Sequence, residues 1–309
     1  MKGEFMRAIA AEHISKSYGN FRAVNDLSFE VIGGEIFAML GPNGAGKSTT
    51  LRMILDILKP DTGSISVLGG PLTDATKDRI GYLPEERGLY RSVPVVEMMV
   101  YLGTLKGLAT AEARKRSMNY LERLGLADSA KKKVSELSKG MQQKVQFAVT
   151  VLHDPDLIII DEPFSGLDPV NTLMVQDLLI DFKKRGKAVV MSTHDMPQVE
   201  EMAERLLMIN HGELKLYGTV DAVRSQYALP AVRVEGQGNW SSLAGIDRVE
   251  VSENGRHNAL LYLKPNVTPD SVLAEIAMRA DMHFQAFELA VPSLTDIFVQ
   301  VVTGERKYA

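Results

Sequence analysis

Apolar residues follow two rhythms along this chain. Short continuous runs, "IFAML" at 36–40, "LIII" at 157–160 and "AVVM" at 188–191, predict strands buried on both faces. Between and after them the apolar positions recur at helical spacing. "TTLRMILDIL" predicts a helix that continues until Pro60 stops it, and "AEARKRSMNYLERLGL" belongs to a mostly helical insert. Further helices are expected at about 170–185 and 196–204, separated by "AVVMST" and succeeded by the strand "RLLMIN". Strand and helix in alternation imply a largely parallel sheet with helices on its faces. Ahead of it, "RAIAAEHIS" and "AVNDLSFEV" are shorter β-rich runs, and "KPDTGSISVLGG" reads as a turn and a short strand.

The pattern changes near residue 230. "AVRVEG" predicts a strand, and "RVEVSENGRHNALLYLK" two alternating strands joined around Asn254 and Gly255. A helix in "TPDSVLAEIAMRA", a strand in "FQAFELAV" and a closing helix capped by Ser293 complete a small α+β tail. The expected organisation is an α/β domain over 1–224, with its helical insert at about 90–150, and an α+β domain over 225–309.

Composition narrows the class. With 309 residues, 45% hydrophobic and 24% charged, the chain has ample material for a globular core. A net charge of -4 gives no general pull toward nucleic acid, and zero cysteines exclude disulfides and thiolate chemistry. The N-terminal stretch is interrupted by Glu4, Arg7, Glu12 and His13, so a secretion signal is not expected. The apolar runs fall far short of the roughly 20 residues that span a bilayer, so any membrane role comes through a partner.

Chemistry concentrates after "IFAML". Gly41-Pro42-Asn43-Gly44-Ala45-Gly46-Lys47-Ser48, followed by Thr49, fits G-x-x-x-x-G-K-[ST] in every fixed position and lies between a predicted strand and a predicted helix. Glycines let backbone N–H groups wrap an anion, and the helix directs its positive end to the same place. Lys47 would reach the β- and γ-phosphates of a nucleotide, and the Ser48 hydroxyl a magnesium ion. A second element stands at the end of "LIII": Asp161 emerges at the C-terminal edge of a buried strand as the metal-side carboxylate, and Glu162 is placed to polarise a water as general base. Alone, such a strand end is more often an ordinary acidic turn.

At this point the chain resembles the nucleotide-binding subunits of ATP-binding cassette (ABC) transporters, over about residues 6–222. "LSKGMQQK" at 137–144 resembles the family's signature segment, "SGLD" at 165–168 its D-loop, His194 in "STHD" its switch histidine, and Tyr18 the aromatic residue that stacks on adenine. The resemblance implies a P-loop NTPase fold with an antiparallel β subdomain and the helical insert beside the central sheet. It also implies ATP and magnesium as ligands, and a head-to-tail dimer in which Ser138 and Gly140 of one copy reach the γ-phosphate bound by the other. His194 would contact the same phosphate and Asp168 would link the two sites. Separately encoded integral membrane subunits are the implied partners, with export the implied task and the inner face of the cell membrane the implied location.

Two departures stand out. Glu85 in "IGYLPEERGLY" occupies a place where many relatives carry glutamine that touches magnesium and the attacking water; an ionised carboxylate accepts but cannot donate. Lys139 and Met141 replace glycine and glutamine in the signature segment, whereas Ser138 and Gly140 remain. "YLPEERGLY", "LSKGMQQK" and the tail resemble the sodium-extrusion and multidrug exporter subgroup. The competing reading is a soluble cassette ATPase acting on ribosomes or nucleic acid; such proteins typically carry two cassettes, and this chain has one phosphate loop. A nucleotide sensor without turnover is disfavoured by Glu162.

Overall fold

The computed structural model describes residues 6–86, 88–251 and 258–304. The chain divides into two compact units, one ending at Val220 and one beginning at Asp221.

In the first unit, β1 (Arg7–Tyr18) and β2 (Phe21–Ile32) pair as an antiparallel hairpin, and β4 (Thr62–Val67) joins the other edge of β1. Leu27, Phe29 and Val31 are buried at every second position, which turns one face of this sheet inward. The central sheet has the order β5 (Ile80–Leu83), β6 (Leu157–Asp161), β7 (Ala188–Thr193), β3 (Ile36–Leu40), β8 (Arg205–Asn210), β9 (Glu213–Thr219). All its pairs are parallel except β8 with β9, an antiparallel edge. Every residue of β3, β6 and β7 is buried, because helices and the antiparallel sheet cover both faces. Phe37, Met39, Ile159, Val190 and Leu207 share one cluster with Phe29 and with Leu51 and Ile54 of α1 (Lys47–Ile54), so the core locks the first helix between the two sheets.

That helix stops earlier than the sequence pattern predicts. Asp56 adopts φ 58°, and the N–H groups of Ile57 and Leu58 both turn back to the Arg52 carbonyl, ending the helix well before Pro60. A short α2 (Asp74–Lys77) precedes β5. The insert holds α3 (Val95–Leu105), α4 (Thr110–Arg123) and α5 (Lys139–Val151). Then α6 (Pro169–Lys184) starts with Asp168 as cap and Pro169 in its first turn, and α7 (Met196–Met202) repeats the device with Asp195 and Pro197.

The helix α8 (Val220–Gln226), which the apolar pattern does not announce, opens the second unit. There β10 (Ala231–Gln237), β11 (Ile246–Val251), β12 (Asn258–Leu263) and β13 (His283–Leu289) form an antiparallel sheet of order β11-β12-β10-β13. Val232, Val234 and Leu261 pack against Trp240 and against Val272 and Ile276 of α9 (Pro269–Ala277). The Asn254-Gly255 junction lies outside the described residues. Ser293 caps α10 (Leu294–Thr303), its hydroxyl accepting from the Asp296 N–H at 3.2 Å.

Because Ile159 is fully buried in the strand that carries Asp161, Ile159→Ala should lower the unfolding free energy by about 2–5 kcal/mol. Urea unfolding followed by circular dichroism would check this; an unchanged midpoint would contradict the packing described.

Candidate active site

Three neighbouring parallel strands, β6, β7 and β3, end at one edge of the central sheet, with Leu40 level with Thr193 and Ser192 level with Asp161. The loops leaving these strands meet there. After β3 the chain passes through Gly41, with φ 153°, and Gly46, with φ 113°. A Cβ on Gly41 would lie 2.3 Å from the Ile209 carbonyl oxygen, and one on Gly46 2.4 Å from that of Ala23. Glycine is therefore required at both positions by conformation and by space. Gly46 also begins α1 without a side chain to cap it, and the first turn holds no acidic residue. The positive end of that helix is left open for an anion.

The Lys47 side chain folds back over the loop, its Nζ donating to the carbonyls of Gly41 at 2.8 Å and Pro42 at 3.2 Å. Only 8% of Lys47 is exposed, and burial holds its ammonium below the ordinary lysine pKa against the opposing pull of Glu162, Asp161 and Glu85. The Ser48 hydroxyl lies 3.3 Å from Oδ2 of buried Asp161. One residue on, Glu162 takes the left-handed conformation, φ 52°, and its N–H donates to the Ser192 carbonyl at 2.8 Å. Such a conformation costs a side-chain-bearing residue about 1–3 kcal/mol. Here it aims the carboxylate along the strand ends: Oε2 accepts from the Thr193 hydroxyl at 3.3 Å, and Oε1 lies 2.7 Å from Nδ1 of His194. The His194 ring is 70% exposed, and Asp195, not His194, caps α7.

These groups line a cleft of about 440 Å³. Tyr18, Asn43, Gly44, Ala45, Gly46, Lys47, Ser48, Thr49, Glu85, Asp161, Glu162 and His194 line it, while Gly41 lies outside the lining and accepts from Lys47 through its carbonyl. Phe21 and Ser165 also line it and were not singled out from sequence. Phe21 sits directly across the hairpin from Tyr18, both residues are exposed, and the turn at Gly19-Asn20 was the signal that could have paired them. Ser138, Gly140 and Asp168 stand apart from the cleft. Ser138 caps α5, its Oγ accepting from the Met141 N–H at 3.3 Å. A Cβ on Gly140 would lie 3.5 Å from the Gly166 carbonyl, so the signature-like and "SGLD" segments are packed together. Asp168 caps α6 and accepts from the Asn171 N–H at 3.0 Å; that bond and the Asn171 side-chain amide hold its carboxyl below the usual range.

The ABC transporter family pattern matches residues 24–165, and that of the C-terminal domain of DrrA1-3-like ATP-binding proteins matches residues 218–302. An uncharacterised ABC transporter ATP-binding protein of Bacillus subtilis (strain 168) is 39% identical over 305 residues, 95% of this chain and 98% of that protein. The chain belongs to the ABC transporter ATP-binding proteins. The Nod factor export ATP-binding protein I of Rhizobium sp. (strain N33) is 32% identical over 302 residues, 96% of this chain and 98% of that protein. A dimeric, post-hydrolysis ATP-binding cassette bound to ADP and Pi superposes with a TM-score of 0.62 at 26% identity, covering 69% of this chain and 98% of that one. This ABC ATPase therefore binds and hydrolyses ATP to power a transporter, and the matches give no support to the ribosome or nucleic-acid alternative.

Gly46→Ala would force a Cβ against the Ala23 carbonyl at a φ that alanine avoids. The variant should lose about 1–3 kcal/mol of stability and bind ATP at least about tenfold more weakly. Thermal unfolding and calorimetric titration would check both, and unaltered ATP binding would show that the loop does not need this glycine.

Proposed function

We propose that the cleft holds ATP across the strand ends, with the triphosphate on the α1 N-terminus, Lys47 on the β- and γ-phosphates, and adenine against Tyr18 with Phe21 beside it. The observation that carries the reading is the Glu162 carboxylate, bonded to Thr193 and His194 at the cleft, one residue beyond the Ser48–Asp161 pair. Glu162 orients the attacking water and accepts its proton, and His194 steadies that carboxylate while presenting its exposed ring to the γ-phosphate.

A hydroxyl and a carboxylate 3.3 Å apart suit magnesium, which takes one or two carboxylates and completes its shell with waters and phosphate oxygens. Ser48 and Asp161 would hold it directly and Glu85 through a bound water. When bound it would offset the phosphate charge and polarise the γ-phosphoryl group.

Ser138 and Asp168 are exposed and Gly140 is half-buried, all outside the cleft, so we assign them to a second copy's site. Two copies meet head to tail, each closing the other's ATP with its Ser138 hydroxyl and Gly140 N–H, while Asp168 joins the two sites. Hydrolysis removes the γ-phosphate contacts and the pair loosens. No helix among the described residues is long and apolar enough to cross a membrane. The cycle would act on separate membrane permease subunits from the inner face of the cell membrane. The full-length likeness to a protein named for export supports the outward direction.

Glu162→Gln should keep the phosphate cradle but turn over ATP at least about a hundredfold more slowly, and accumulate as an ATP-bound dimer. Lys47→Ala should lose ATP affinity. Size-exclusion chromatography with ATP and magnesium distinguishes the two; a Glu162→Gln protein that stays monomeric would count against the paired arrangement.

A further inference from the structure

We propose that Glu85 makes this cleft selective for ATP in its divalent-cation complex, so that free nucleotide is disfavoured until the cation accompanies it. The inference rests on the cleft being the nucleotide site. Among the described residues that line it, three are carboxylates, Glu85, Asp161 and Glu162, and Lys47 is the one fixed cation. Its ammonium already serves two backbone carbonyls and lies within the field of all three carboxylates. Nδ1 of His194 is turned to Glu162 at 2.7 Å, and one further positive charge there would still be outnumbered by three carboxylates. Among the described lining residues the formal charge is therefore negative before a triphosphate arrives, and the positive end of α1 opposes it.

Two of the three carboxylates are committed to chemistry: Asp161 sits against Ser48, and Glu162 is held by Thr193 and His194. Glu85 brings the surplus charge, from the loop after β5. Next to Glu85 the chain is tied to α5, where Nε2 of buried Gln146 donates to the Glu86 carbonyl at 3.2 Å. A negative charge lining the cleft repels every charge on an approaching triphosphate, and a divalent cation reverses the balance. Glu85 is exposed, so its field acts through solvent and weakens as salt rises.

The experiment is calorimetric titration of ATP into the full chain, in excess magnesium and in EDTA, for the native protein, Glu85→Gln and Glu85→Asp. Glutamine keeps the size and removes the charge; aspartate keeps the charge. The ratio of the EDTA to the magnesium dissociation constant should fall about tenfold in Glu85→Gln, stay near native in Glu85→Asp, and shrink for the native protein in high salt. An unchanged ratio in Glu85→Gln, with apo thermal stability matching the native protein, would overturn the inference while leaving the ATP site intact. A native protein that binds ATP in neither condition would instead overturn the assignment of the cleft.

Discussion

A backbone carbonyl oxygen lies 2.4 Å from where the Cβ of residue 46 would be, and another 2.3 Å from where that of residue 41 would be. The rest of the cleft depends on this crowding. The Ala23 oxygen belongs to β2 and the Ile209 oxygen to β8, so the phosphate loop is wedged between the antiparallel sheet and the central sheet. The N–H of Gly212 donates to the Ala45 carbonyl, and its own carbonyl accepts from the Asn25 N–H, stitching the same three segments together. A loop that is rigid before ligand arrives loses little freedom on binding, which is the reason a glycine-rich segment can be both permissive in conformation and fixed in place.

Local costs collect at this edge of the sheet. Lys47 is buried although burial disfavours its charge, Glu162 holds a left-handed conformation, and α1 begins without a side-chain cap. Each is unfavourable in isolation, and each leaves a group ready for a ligand: an ammonium parked on carbonyls and an open helix terminus suit phosphate, and a carboxylate turned toward the cleft suits a water. The fully buried strands on both sides make such costs tolerable, since burying one large aliphatic side chain contributes about 1.5–3 kcal/mol.

Much of this edge was legible in the sequence because it is built from contiguous residues. Four apolar residues before Asp161 were enough to place it at a strand end, and the fixed spacing of Gly41, Gly46, Lys47 and Ser48 was enough to place the loop. The features that escaped depend on geometry that no run of residues encodes. Phe21 faces the cleft because a two-residue turn sets it opposite Tyr18, and Ser165 because the chain doubles back after Glu162, the Ser165 N–H donating to its carbonyl. The early end of α1 at Ile54 turns on one left-handed aspartate, Asp56, inside a pattern that otherwise stays helical. The Glu162–His194 contact joins residues 32 apart and needed the register of β6 with β7.

The separation of Ser138 from the cleft also bears on how a second copy would use it. Its Oγ already accepts from the Met141 N–H, which fixes the hydroxyl at the start of α5 without consuming its hydrogen. A capping serine in that state can still donate to an anion presented from outside, beside a helix terminus that favours negative charge. Lys139, exposed in the first turn, sharpens the point: a cation there opposes the helix dipole, whereas an incoming polyphosphate would favour both. In the proposed pair the signature-like segment would meet the charge presented by the second copy, and the contact between Gly140 and the "SGLD" segment would pass a shift of one site toward Asp168 and the other.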